Sequence, residues 1–230
     1  SYKIIAVSGS VKNYLVRYEK INPEKISVIY NGVDLVKYAF NPEARKNLRG
    51  DLGLQENDFA VLSIGQVTAQ KNYDLIINIA REINKGKNHF KFFIAGGEYG
   101  GLAQRLKDKT KDLGLEEKVF FLGVRDDISS LLSACDAFLM PSKWEGFGLA
   151  LVEAMANGKP VLVNDIVTLR EIVGERGEYG FMADNPQSFI DYLVKLRENK
   201  EFYVKYANLS LQRSKDFSLD KNIEKLNDLL

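Results

Sequence analysis

The stretch "DAFLMPSKWEGFGLALVEAMANGKPVLVND", residues 136–165, holds two short apolar runs with a helical pattern between them. The first run closes at Pro141, which has no amide proton to give a sheet. "GFGLALVEAMA" then places helix formers behind two glycines, and Gly158-Lys159-Pro160 stops the helix ahead of "KPVLVN". Strand, helix, strand in that order reads as one crossover unit of a parallel sheet. The pattern repeats outward. Apolar runs "KIIAVS" (3–8), "ISVIY" (26–30), "FAVLSIG" (59–65), "FKFFIAG" (90–96) and "KVFFLG" (118–123) precede it, with amphipathic stretches at 71–86, 101–113, 126–135 and 147–157. Runs without polar alternation belong to strands buried on both faces. The expected fold class is therefore α/β, a parallel sheet with helices on both sides. Its strands end at Gly65, Gly96, Gly123, Pro141 and Asn164, the side on which such sheets bind ligands. Beyond about residue 186 the strand signal gives way to consecutive helices, the last one capped by Ser218.

Composition narrows the function classes. The chain has 230 residues and a net charge of +1, which supplies no bulk attraction to nucleic acid or to an anionic membrane. No apolar run approaches the roughly 20 residues that cross a bilayer, and no signal-peptide pattern opens the chain. The single cysteine, Cys135, forbids an intrachain disulfide and suits a reducing compartment, so the cytoplasm is the expected location. The chain starts at Ser1 and its methionines are Met140, Met155 and Met182, which reads as a piece of a longer protein.

The candidate site is the entrance of the helix after Gly146-Phe147-Gly148. Glycines there leave unpaired backbone N–H groups open to close approach, and the helix dipole favours an anion such as phosphate. Glu145 lies before that entrance and Glu153 one to two turns inside the helix. Ionised carboxylates only accept hydrogen bonds, so two of them flanking a phosphate suit a hydroxyl-rich ligand laid out as ribose, diphosphate and sugar. Spacing alone proves little: with 16 glutamates, chance gives about one pair eight residues apart. The acidic pair in "RDD" (125–127) reads as a helix cap before "ISSLLSA" rather than a metal site. His89 reads as a surface residue at a helix-to-strand turn, "GGEYGG" (96–101) as a loop, and Trp144 equally as a packing anchor or a sugar platform. The G-x-G-x-x-G fingerprint of dinucleotide enzymes is missing, since "SIGQVTAQKN" has one glycine and a lysine.

"EGFGLALVEAMANGKPVL" (145–162) resembles the E-x7-E segment of retaining glycosyltransferases with the GT-B fold, in the large family-four group. "ISVIYNGVD" (26–34), "LSIGQVTAQKNYDLII" (62–77), "FFIAGG" (92–97) and "VFFLGVRDDISSLLSACDAFLMPSKWEGFG" (119–148) resemble further segments of that family in the same order. The resemblance implies that Glu145 faces the donor sugar and Glu153 holds the ribose hydroxyls. It implies that the backbone of Phe147, Gly148 and Leu149 meets the diphosphate, with Lys71 neutralising it. Gly65 and Gln66 would line the donor, Gln66 standing where the family carries an arginine. Backbone near Gly123, Val124 and Arg125 would hold the base, and Glu171 would shape the wall.

By the same resemblance the chain is the donor-binding half of a two-domain enzyme. Residues 1–20 would close the first domain and its hinge, 21–212 would form the nucleotide-sugar domain, and 213–230 would be a helix packing back on the first domain. The implied reaction is transfer with retention from a nucleotide diphosphate sugar, UDP by default, to a glycan or lipid-linked acceptor in polysaccharide biosynthesis. No cofactor or divalent metal and no nucleic acid is implied. Peripheral membrane association is left open for the full enzyme, and the isolated half is expected to bind the donor without transferring it. The other reading is a non-catalytic GT-B module that binds nucleotide or a protein partner.

Overall fold

The computed structural model describes residues 3–86, 89–98 and 100–229. Tyr99, inside the loop expected at 96–101, lies outside the described residues. Six strands form one wholly parallel sheet: β3 (Phe59–Ile64), β4 (Phe90–Ala95), β5 (Val119–Gly123), β6 (Ala137–Met140), β7 (Val161–Asn164) and β8 (Phe181–Ala183), in spatial order β5-β4-β3-β6-β7-β8. The first two apolar runs do not join it. β1 (Ile4–Ala6) and β2 (Ile26–Val28) pair only with each other, in parallel, across the helix α1 (Gly9–Arg17).

Period two sorts the strand residues into two cores. Phe59 and Val61 of β3, Phe92 and Ile94 of β4, and Ala137 and Leu139 of β6 face one hydrophobic cluster. Ala60 and Leu62, Phe93 and Ala95, and Phe138 and Met140 face the other. Helices cover both faces. On the first lie α3 (Tyr73–Ile83), α4 (Gly101–Asp112) and α8 (Pro186–Glu198); on the second lie α5 (Ile128–Ala134), α6 (Leu149–Ala156) and α7 (Val167–Val173). Truncating a fully buried residue such as Leu139 or Phe138 to alanine costs about 2–5 kcal/mol in such cores. The chain continues as α9 (Lys200–Ser214), a 3-10 turn at Lys215–Phe217 and α10 (Leu219–Asn227), with the Ser218 hydroxyl accepting from the Lys221 amide as the cap.

Three elements escape the apolar pattern. β8 has three residues, too few for a pattern to register. α7 carries its buried residues in only seven positions. α2 (Pro42–Asp51) is polar and buries only Leu48. It docks through arginines instead. Arg45 donates to the Ser133, Ala134 and Cys135 carbonyls at the end of α5 and meets Asp136 at 2.6 Å, while Arg49 meets the other Asp136 oxygen at 3.2 Å. A cation at a helix C-terminus is favoured by the helix dipole, so charge replaces the missing apolar stripe. Cys135 beside this lock is buried and unpaired, and burial pushes its thiol up to about 12.

Candidate functional site

From β3 the chain runs outward to β4 and β5, then returns to β6 on the other side of β3. The carboxyl ends of β3 and β6 therefore flank the point where strand order reverses, and the sheet leaves a crevice there. A cleft of about 420 Å³ occupies it, lined by Ile64 and Gly65 after β3, Met140 at the end of β6, Lys71, the run 145–150, and Val7 and Asn31 from the N-terminal segment.

The loops around the cleft touch backbone to backbone. A Cβ on Gly96 would stand 2.0 Å from the Gly65 carbonyl oxygen, so only glycine fits between the β3 and β4 loops. The loops are bonded too: Gly65 N–H donates to the Ala95 carbonyl at 2.9 Å, and Gly96 N–H to the Gly123 carbonyl at 2.8 Å. A Cβ on Gly65 would lie 2.6 Å from Lys71 Cε, which is how the lysine crosses its own loop to reach the cleft. Tyr73, buried beneath, donates its hydroxyl to the Gly65 carbonyl at 2.8 Å; burial and the nearby Glu145 charge keep that hydroxyl protonated well above its usual range.

Lys71 Nζ donates to Glu145 Oε1 at 2.7 Å, and both side chains are largely withdrawn from solvent. The rest of the Glu145 loop is held on several sides. Gln70 Nε2 donates to the Trp144 carbonyl at 2.8 Å, Thr168 Oγ1 to the Glu145 carbonyl at 3.0 Å, and Ser8 Oγ to the Gly146 carbonyl at 2.7 Å. The Phe147 ring is a buried anchor, stacked on Tyr30 and edge-on to Phe217. Gly148 adopts φ of 114° at the N-cap of α6, where an L side chain would be strained and would press on Leu169. The first amides of α6 thus open onto the cleft wall with the positive end of the helix dipole behind them.

Glu153 sits apart, half-buried in α6. The Tyr38 hydroxyl bonds to it. Burial pushes the Glu153 carboxyl up, against the Tyr38 hydrogen bond and the Lys37 charge, which lower it. The Tyr38 hydroxyl is itself raised to about 12, by burial first and then by the Glu153 carboxylate. Gln66 and Val124 are exposed and do not line the cleft. Among the residues named from sequence, the cleft brings together Gly65, Lys71, Glu145, Phe147, Gly148 and Leu149. Val7, Asn31, Tyr38 and Ala150 were missed. Asn31 was within reach, since it lies in the quoted "ISVIYNGVD"; Tyr38 left no signal, because its meeting with Glu153 is a contact across 115 residues of chain.

Two expectations need correction. Glu171 does not line the cleft: its carboxylate accepts from the Gly9 amide at 2.8 Å, the Ser10 amide at 2.7 Å and the Tyr30 hydroxyl at 3.1 Å, capping α1 from outside. Asp127 occupies the N-cap position of α5, yet its side chain caps nothing. It grips Arg125 through two bonds of 2.8 and 2.6 Å, because a bidentate guanidinium outcompetes a backbone amide. His89 is exposed ahead of β4, as expected.

A doubly wound parallel sheet with a glycine-lined helix entrance at its switch point, and a cation beside it, places the chain in the class of Rossmann-like domains of the GT-B type. Residues 44–212 match the family model for glycosyl transferases group 1, and residues 1–37 match that for glycosyltransferase family 4. The chain belongs to the group 1 glycosyltransferases. It is 32% identical, over 99% of its length, to the UDP-Gal:alpha-D-GlcNAc-diphosphoundecaprenol alpha-1,3-galactosyltransferase of Escherichia coli, of which it covers 59%. It is 31% identical, over 88% of its length, to a Campylobacter jejuni 4-alpha-N-acetylgalactosaminyltransferase acting on a diphospho-undecaprenol-linked sugar, of which it covers 53%. The crystal structure of Anabaena Alr3699/HepE in complex with UDP and glucose superposes with a TM-score of 0.90 at 26% identity, covering all of this chain and 63% of that one. The chain thus spans 53% to 63% of the length of these three proteins. Among the described residues no helix is long and apolar enough to cross a membrane.

Proposed function

We propose that this chain is the donor-binding part of a retaining glycosyltransferase that takes a UDP-sugar and serves the synthesis of a polysaccharide or lipid-linked glycan. The observation that carries the reading is the Lys71–Glu145 pair at the mouth of α6, inside the switch-point cleft. Known relatives support the substrate class: the similar Escherichia coli enzyme is named for UDP-Gal, and Alr3699/HepE was crystallised with UDP and with UDP-glucose.

In this reading the diphosphate lies against the amides of Phe147, Gly148 and Leu149. Lys71 turns from Glu145 to the arriving phosphates, so a cation already held at the site meets the charge that develops on the leaving group. Glu145, released from that partner, accepts from hydroxyls of the donor sugar. Glu153 accepts from the ribose, sharing its carboxylate with Tyr38. Gln66, exposed outside the cleft next to the lining Gly65, turns toward the phosphates and donates an amide hydrogen without adding charge, and the backbone at Gly123 and Val124, likewise outside the cleft, holds the base. The acceptor hydroxyl oxygen bonds to the anomeric carbon on the face from which the diphosphate oxygen departs. Its proton passes to that departing oxygen, and configuration is kept. The acceptor site is completed by the part of the protein outside this chain, so the chain alone binds donor and transfers poorly.

Calorimetric titration of UDP, GDP and UDP-sugars tests this. UDP is expected to bind, with Lys71→Ala losing roughly tenfold or more and Glu153→Ala weakening UDP itself by a similar factor. Glu145→Ala should instead reduce the gain that UDP-sugar shows over UDP. No binding at millimolar UDP would overturn the reading and favour a partner-binding module.

A further inference from the structure

A second groove, of about 440 Å³, opens beside the donor cleft, and among the described residues Glu145 is the one that lines both. Its walls carry Trp144 on one side, Tyr14 of α1 on another, and Ile166 and Val167 at the start of α7. Trp144 is 57% exposed, Tyr14 54% and Val167 61%. Scattered apolar residues on a surface are ordinary. Three that converge on one groove, next to a carboxylate held by a lysine, are a patch with a purpose. The volume lies within the roughly 300–1,000 Å³ of small-ligand sites.

Trp144 is not a packing anchor, since most of its side chain faces solvent. Its backbone is fixed in place: its carbonyl accepts from Gln70 Nε2, and the next residue is bonded by Lys71 and by Thr168. The exposed indole offers a broad apolar face, and its two side-chain torsions cost little freedom to fix on binding. A pyranose ring has the matching form, an apolar C–H face within a rim of hydroxyls. Ser10 and Lys143, which also line the groove, supply polar groups at the rim.

We propose that this groove is the acceptor subsite, in which the Trp144 indole carries a pyranose ring of the accepting glycan next to Glu145. The proposal rests on the donor reading given above, because that reading puts the reacting carbon at Glu145. Two cavities that meet at one carboxylate can present two sugars to each other across it. Continuity with the donor cleft is what commits the groove to an acceptor sugar.

Trp144 is the only tryptophan in the chain, so tryptophan emission reports this groove alone. The chain, saturated with UDP, is titrated with methyl α-glucopyranoside and methyl N-acetyl-α-glucosaminide to about 50 mM, above the millimolar affinity that ligands of this size reach. A saturable emission change is expected with at least one of them. Ligand-observed NMR then reads the variants without relying on fluorescence. Trp144→Leu should weaken the sugar by about fivefold or more, Trp144→Phe should recover part of it, and UDP affinity should not change in either. No saturable response to either sugar, in a preparation that binds UDP, would overturn the subsite. So would equal sugar affinity in Trp144→Leu, or an emission change of the same size with UDP alone, which would assign the groove to the donor. Failure to bind UDP at all would bring down the donor reading and this assignment with it, and is told apart by the calorimetry.

Discussion

Burial sets the ionisation of Glu153 against the stability of the fold. Its carboxyl is raised by burial more than Tyr38 and Lys37 lower it, so the folded chain holds that proton more tightly than the unfolded chain, where the group titrates near 4.5. A group raised in the folded state gives its full stabilisation below the unfolded pKa and loses it as pH climbs through the folded one. Glu153 is therefore a growing cost from about pH 4.5 upward, until it is fully ionised. Glu153→Gln removes the ionisation and keeps an acceptor for the Tyr38 hydroxyl. Thermal melts should show the variant and the wild type alike near pH 4, with the variant more stable at pH 7. A gap that stays constant across that range would mean that packing, not charge, separates them. The ribose assignment asks in addition that the same variant bind UDP more weakly.

At the scale of elements, α1 is fastened by side chains that are remote in sequence. It buries no residue fully, so packing alone holds it weakly. Ser8 caps it from within, the hydroxyl accepting from the Val11 amide, while Glu171 of α7 accepts from the amides of Gly9 and Ser10. A carboxylate at a helix N-terminus gains from both the orphan amides and the dipole. Arg213 steadies the acceptor of that contact by donating to the Glu171 and Ile172 carbonyls. Glu171→Ala should cost about 1–3 kcal/mol in chemical denaturation. More specifically, it should speed hydrogen exchange of the α1 amides while leaving those of α3 and α6 unchanged. Unchanged exchange in α1 would show that Ser8 suffices. Sequence placed Glu171 near the ligand because the segment around it matched the family. Which of its neighbours a carboxylate grips is decided by the fold, and here the two amides lie more than 160 residues away.

Across the whole molecule, the two ends of the sheet divide the work. The carboxyl ends carry the cleft. At the amino ends, Asp136 binds Arg45 and Arg49, accepts from the Ala60 amide at 2.8 Å, and takes the Tyr203 hydroxyl on its carbonyl, joining α2, β3, β6 and α9. The strand-and-helix order was legible because each central strand is a continuous apolar run, and the helix entrance because glycines mark it. The Asp136 lock was not, since arginines on a polar helix leave no period to read. For the same reason the Lys71–Glu145 pair was invisible as a pair, although both residues could be named: a 2.7 Å contact over 74 residues exists only once β3 and β6 are neighbours. The division predicts opposite phenotypes. Asp136→Ala leaves two guanidinium groups without their carboxylate and the buried Ala60 amide without an acceptor, costing about 2–4 kcal/mol, below the figure for a fully buried pair because Arg45 keeps some solvent. Its melting temperature should fall while UDP affinity, measured well below the melt, stays within about twofold. Lys71→Ala should do the reverse, losing UDP affinity with a smaller shift in stability. If Asp136→Ala weakens UDP as much as Lys71→Ala does, the strands transmit strain from one end to the other and the two ends are not independent.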